Sequence, residues 1–277
     1  MSIEWSLVFF TLFIGLAAGV FAGIAFSEWT GVSVKQVRFP GAVLTLAALV
    51  IGGVSSVLHL GHPERIFGAL EKPGSGIFME ALLMGVFGLI VIFYMLALRR
   101  GASELVCKLL STLGLIPAVF LAAAVGHTYM MPSRPAWDTV ILPVMYFMSA
   151  AVMGCFCIAT LLSGREERPS APTWYIIPVV FLIMQAASIA NYLVYLTNAP
   201  YPDASRSTAR VLMGDLAPVF WIGVVVLGFL VPGFIMLRAK KSGSLAWARY
   251  GLMCVLLSGI AFRVLMFSLG SAVYNFF

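Results

Sequence analysis

Two of the chain's three histidines, His59 and His62, lie in one short stretch, His59-Leu60-Gly61-His62-Pro63-Glu64-Arg65-Ile66-Phe67, and a further carboxylate follows at Glu80. Apolar runs flank this stretch on both sides. In a protein with so little charge, titratable groups gathered at one membrane edge point to a functional site. The chemistry they suit is proton handling. Oxidising a hydroquinone releases a pair of electrons and a pair of protons, so its headgroup needs a hydrogen-bond partner at each oxygen and a nearby base. Imidazole, with an unperturbed pKa of about 6.5, serves unaided, and a carboxylate at the bilayer edge takes and passes on a proton. His59 and Glu80 are therefore the expected catalytic pair. A purely structural role is also open to His59, as an interfacial anchor or a satisfied helix end.

Arg263, in Ala261-Phe262-Arg263-Val264-Leu265, is the other charge inside an apolar run. It either faces the same region or snorkels to the headgroups. Arg65 anchors the local helix or contacts a docked partner, and it is grouped with His59, Glu80 and Arg263 in the candidate quinol site. Asn191 is a minor candidate, and an interfacial aromatic belt accounts for Tyr192 and Tyr195.

Elements able to position these residues follow from composition. Hydrophobic residues make up 61% of the sequence and charged ones 10%, against about 25% charged in soluble domains. Mean hydropathy is +1.02. The expected fold is an all-α, polytopic integral membrane bundle, a single domain over residues 1–277, with no nucleic-acid role for its net charge of +6. A membrane helix needs roughly 20 apolar residues. Eight such segments are expected near 5–27, 39–58, 76–98, 107–130, 139–163, 174–197, 216–238 and 246–270. Gly61 suits the end of the second, Pro63 the start of a short interfacial helix over 64–70, and Glu80 falls about one turn inside the third. Gly15, Gly19 and Gly23 mark a close-packing face on the first.

The first, third, fifth and seventh loops, with their flanks, hold eleven Lys and Arg residues, Arg38 among them, against five in the even loops. The positive-inside rule then puts both termini and the His59–Glu80 edge on the outer face. The opening residues carry no basic segment of the kind that begins a secretory signal. The four cysteines, Cys107, Cys155, Cys157 and Cys254, lack the spacing of an iron–sulfur site. The histidine count leaves room for one bis-histidine haem and rules out two.

The run Leu58-His59-Leu60-Gly61-His62-Pro63-Glu64-Arg65-Ile66-Phe67, with Glu80 downstream, resembles the L-H-L-G-x-P-x-R-x-F motif of the membrane-anchor subunit of dimethyl sulfoxide reductases. The number of spans, the length and the late Arg263 agree with that family. The resemblance implies a haem-free anchor in a bacterial inner membrane, with no iron–sulfur cluster or molybdopterin of its own. Its implied partners are a four-cluster iron–sulfur subunit and a molybdopterin catalytic subunit. Menaquinol would be oxidised at the anchor, with the family's quinol-site histidine at His59 and its essential glutamate at Glu80, after a one-residue gap. His62 stands at a variable motif position and inherits no role. Two other readings compete: a proton-coupled transporter, and a structural anchor without a quinol site. With protons and electrons both leaving at the outer face, quinol oxidation would be electroneutral.

Overall fold

Apolar segments of span length form helices because hydrocarbon leaves their backbone groups no other partners. The computed structural model describes residues 3–31, 34–59, 74–163, 173–199 and 202–269. Its helices are α1 (Trp5–Thr30), α2 (Val34–His59), α3 (Gly76–Arg99), α4 (Glu104–His127), α5 (Ile141–Ser163), α6 (Thr173–Asn198) and α7 (Pro202–Leu212). A π-helical segment, Val219–Leu230, then runs directly into α8 (Val231–Ser242), and α9 (Ala248–Leu269) follows. Among the described residues, eight helical segments are long and apolar enough to cross a membrane, the π segment and α8 together making one. The protein is a polytopic all-α membrane protein.

Local chemistry sets the ends of these helices. The Ser75 and Ser103 hydroxyls accept from the Phe78 and Val106 N–H groups at 3.2 and 3.4 Å, opening α3 and α4. Gly31, at φ 70°, closes α1 by donating to the Ser27 carbonyl. The short helix expected over 64–70 lies outside the described residues.

α1 is the central helix. It packs against α2, α4, α5 and α9, whereas α3 buries only Glu80, Phe87, Val91 and Tyr94. The glycine face on α1 explains the centre. A Cβ on Gly19 would stand 1.9 Å from the Ala150 carbonyl oxygen, and one on Gly154 would stand 2.2 Å from the Gly19 carbonyl carbon. α1 and α5 therefore cross backbone to backbone, as small-residue registers permit in membranes. Gly223 and Gly228 of the π segment leave room for the side chains of Ala261 and Ser258 of α9. Two features depart from the sequence expectation. The polar stretch after α6 forms α7, and the seventh span begins as a π-helix, a geometry often found at functional sites.

Candidate functional site

The start of α3 lies against the end of α4. A Cβ on Gly76 would come within 2.9 Å of the Thr128 side chain, so glycine allows this approach. One turn further along α3, Glu80 is 8% exposed. Its carboxyl interacts with the Thr128 side chain, while its Oε1 has no hydrogen-bond partner among the described residues. A buried carboxylate oxygen without a donor is costly, and is the kind of group a ligand completes.

Beyond Thr128 lies a cluster of aromatic rings. Tyr129 stacks on Tyr146 of α5 at 6.3 Å and meets Trp137 and Phe267 edge-on. Arg263 of α9 lies over the Tyr146 ring, 5.3 Å from its centroid. Both tyrosines lie within electrostatic range of the Glu80 carboxylate and of the Arg263 guanidinium. A line of side chains, Thr128, Tyr129 and Tyr146, thus runs from Glu80 towards Arg263, far apart in sequence.

Arg263 does not snorkel. It is 0% exposed, and every guanidinium nitrogen has an acceptor. Nε donates to Thr11 Oγ1 at 2.8 Å, Nη2 to the Thr11 carbonyl at 2.9 Å and Nη1 to the Gly259 carbonyl at 2.9 Å. It has no carboxylate partner among the described residues, so neutral oxygens and the Tyr146 ring face stabilise a full positive charge. The nearest atoms that a Cβ on Gly15 or Gly259 would meet include its guanidinium nitrogens, so glycines on α1 and α9 make room for it.

The connection between α4 and α5 forms the wall beside this cluster. Trp137 Nε1 donates to the Met266 carbonyl at 2.8 Å, Tyr192 to the Ala136 carbonyl at 2.7 Å, and Tyr195 to the Pro135 and Asp138 carbonyls at 3.0 and 2.9 Å. Tyr192 and Tyr195 are therefore staples for this loop, where the sequence suggested only an interfacial belt. Asn191 lies on an exposed part of α6 beside a separate groove and outside the cluster. His59 closes α2 at the end of the bundle where α3 begins. Its side chain lies outside the described residues, as do Arg65 and His62 altogether. His127 ends α4 with Nδ1 3.4 Å from Met130 Sδ.

At the opposite end of the bundle lies a second buried charge cluster. Arg38 Nε and Nη2 donate to the two Glu28 carboxylate oxygens, each at 2.7 Å, and the Tyr94 hydroxyl donates to Glu28 Oε1. Sequence reasoning counted Arg38 as a loop charge. Its pairing with Glu28, 1% exposed, makes it part of the packing of α1 on α2 and α3. Tyr129, Tyr146, Thr11 and Thr128 also escaped the sequence reading. The only available signal was polar atoms within apolar runs near helix ends, which is too common to single them out. No group of three or more His, Cys, Asp or Glu side chains suited to a metal occurs among the described residues.

Eight spans among the described residues, with Glu80, two tyrosines and Arg263 lined up towards one end of the bundle, define a multi-pass membrane protein with polar groups inside its helices. Residues 1–275 match the polysulphide reductase NrfD family, and the protein belongs to that family. It is 23% identical to the anaerobic dimethyl sulfoxide reductase chain YnfH of Escherichia coli, over 98% of its own length and 96% of the relative's. A further anaerobic dimethyl sulfoxide reductase chain of the same organism is 26% identical, over 86% and 91%. A selenate reductase subunit of Mesobacillus selenatarsenatis is 23% identical, over 91% and 71%. These relatives bear out the resemblance carried by the His59–Phe67 motif.

Proposed function

We propose that the protein is the membrane anchor of a molybdopterin oxidoreductase of the dimethyl sulfoxide reductase type, and that it oxidises a quinol at the Glu80 end of the bundle. The anchor role rests on the family and on relatives that are themselves components of such reductases. The observation that carries the quinol site is Glu80: buried, with an unpartnered oxygen, at the end of the bundle where His59 closes α2. In this reading Glu80 accepts one hydroquinone proton, and His59 binds the other oxygen and accepts the second. The pair of electrons passes to an iron–sulfur subunit and on to a molybdopterin subunit, leaving quinone. Arg263, a buried cation on the Tyr146 ring that in turn stacks on Tyr129, is assigned to this site as a fixed positive charge that favours anionic states of the quinol oxygens as protons leave. Arg65, which follows the motif histidines, belongs to this site or to the partner interface. Menaquinol is the quinol the family resemblance favours. The loop charges support an inner-membrane orientation with both termini, and this site, on the outer face.

Purification of the tagged protein from its native membrane in mild detergent tests the anchor role. An iron–sulfur protein and a molybdopterin enzyme should come with it. A protein that purifies alone, intact and stable, would contradict that role. Titration of the intact complex with a fluorescent quinol analogue tests the site. Binding should weaken at least about tenfold in Glu80→Gln, the loss expected for a charge-assisted hydrogen bond of about 1.4 kcal/mol or more. Unchanged affinity would remove Glu80 from the site.

A further inference from the structure

The Glu80 carboxyl lies within hydrogen-bonding reach of the Thr128 hydroxyl. Its Oε1 has no partner among the described residues, so this contact falls on Oε2. Thr128 directly follows His127, the last residue of α4, and its backbone keeps helical dihedrals, φ −58° and ψ −26°. Gly76, one turn before Glu80, lets Thr128 come close to α3, since a Cβ there would stand 3.0 Å from Thr128 Oγ1.

A threonine hydroxyl carries one hydrogen and two lone pairs. Here that hydrogen has two acceptors to choose between. It donates to the Ala124 carbonyl at 3.0 Å, the bond to the preceding turn that threonine makes within helices. The Ala124 carbonyl also accepts the Thr128 backbone N–H, at 2.9 Å. It therefore keeps a partner when the hydroxyl turns away, and no buried acceptor is orphaned. The Glu80 carboxyl has no such second donor: among the described residues only the Thr128 hydroxyl reaches it. A hydrogen bond to an ionised oxygen is roughly twice as strong as one between neutral groups, so an ionised Glu80 draws the hydroxyl from Ala124.

We infer that Thr128 positions Glu80 for proton transfer, its hydroxyl turning from the Ala124 carbonyl to Oε2 of the ionised carboxylate and leaving Oε1 open to the hydroquinone. The hydroquinone proton then passes to Oε1, one O–H bond breaking as the other forms. With Glu80 neutral, the hydroxyl is free to return to Ala124. This inference rests on the reading of Glu80 as the base of the quinol site. Thr128 acts through Glu80 and is a positioning residue.

The test compares, in the intact complex, Thr128→Val, which keeps the branched shape without the hydroxyl, and Thr128→Ser, which keeps the hydroxyl. Quinol-driven turnover should fall about tenfold in Thr128→Val, the scale of one hydrogen bond, and stay near wild type in Thr128→Ser. Dye-driven turnover should be equal in both. A packing role alone would give the opposite order, because valine fills threonine's space and serine does not. Infrared difference spectra between the oxidised and the quinol-reduced complex supply a second readout, with the Glu80 bands identified by their loss in Glu80→Gln. These bands should shift in Thr128→Val and hold the wild-type position in Thr128→Ser. If Thr128→Val does not assemble, Thr128→Ala removes the same hydroxyl with less bulk and is compared with Thr128→Ser in the same spectra. Glu80 bands that stay in place without the hydroxyl, or turnover that follows side-chain bulk, would overturn the inference. A wild-type spectrum with no Glu80 band would instead remove Glu80 itself from the chemistry, and the inference with it.

Discussion

Arg263 holds a full charge inside the bundle on three hydrogen bonds to neutral oxygens and the ring faces of Tyr146 and Phe262. Lysine keeps the charge but presents a compact, strongly hydrated ammonium in place of the planar fork. Arg263→Lys should therefore lower stability by about 1–3 kcal/mol, read as a lower thermal midpoint of the purified complex. It should also depress quinol-driven turnover while leaving dye-driven turnover of the catalytic subunit unchanged. An unchanged midpoint would mean the guanidinium geometry is dispensable. At the other end of the bundle, Glu28 and Arg38 form a buried pair capped by Tyr94. Glu28→Gln leaves Arg38 without its counter-charge and should destabilise by about 3–5 kcal/mol. Adding Arg38→Met should recover part of that loss in the same melting experiment. Glu80 and Arg263 were legible in the sequence because an acid or a base inside an apolar run is conspicuous. Their aromatic neighbours were not: Tyr129 and Tyr146 look like ordinary apolar filling until α4 and α5 are packed side by side.

Helices α1 and α5 meet through Gly19 and Gly154 with no room for a side chain. Gly19→Leu should force them apart and cost roughly 1–3 kcal/mol or more, seen as loss of assembled complex from the membrane. Normal yield and melting would show that the helices do not cross there. The glycine spacing announced this face in advance, because a four-residue register of small residues has few other uses in a membrane helix. α7 was less legible, since a polar stretch between spans reads as loop until its far end is seen to be tied down. Arg210 donates to Asp215 at 2.9 and 2.7 Å and reaches the Ser268 carbonyl of α9 at 3.5 Å. The Arg210 guanidinium holds the exposed Asp215 carboxyl below its usual range. A depressed folded-state pKa contributes stability above the unfolded value, about 3.9, and loses it as pH falls through the folded value. The difference in thermal midpoint between wild type and Asp215→Asn should thus be constant from about pH 8 to pH 5 and shrink steadily as pH falls below about 3.9. A difference that grows on acidification would contradict the pairing.

The whole molecule gathers at one end the start of α3, the ends of α2 and α4, and the buried parts of α5 and α9 that carry Tyr146 and Arg263. Alternation of spans put His59 and Glu80 at the same edge in the sequence reading. Placing Arg263 at the far end of the Tyr129–Tyr146 line required the α1–α5–α9 packing, which no single-helix pattern contains. The central claim is that Glu80 serves quinol oxidation in an assembled reductase. Its most direct test is turnover of the intact complex with Glu80→Gln, driven in parallel by a quinol and by a reduced dye that feeds the catalytic subunit directly. Quinol-driven turnover should fall by at least about a hundredfold, the scale of a lost general base, with dye-driven turnover and subunit composition unchanged. Quinol-driven turnover at the wild-type rate in that variant would contradict the account.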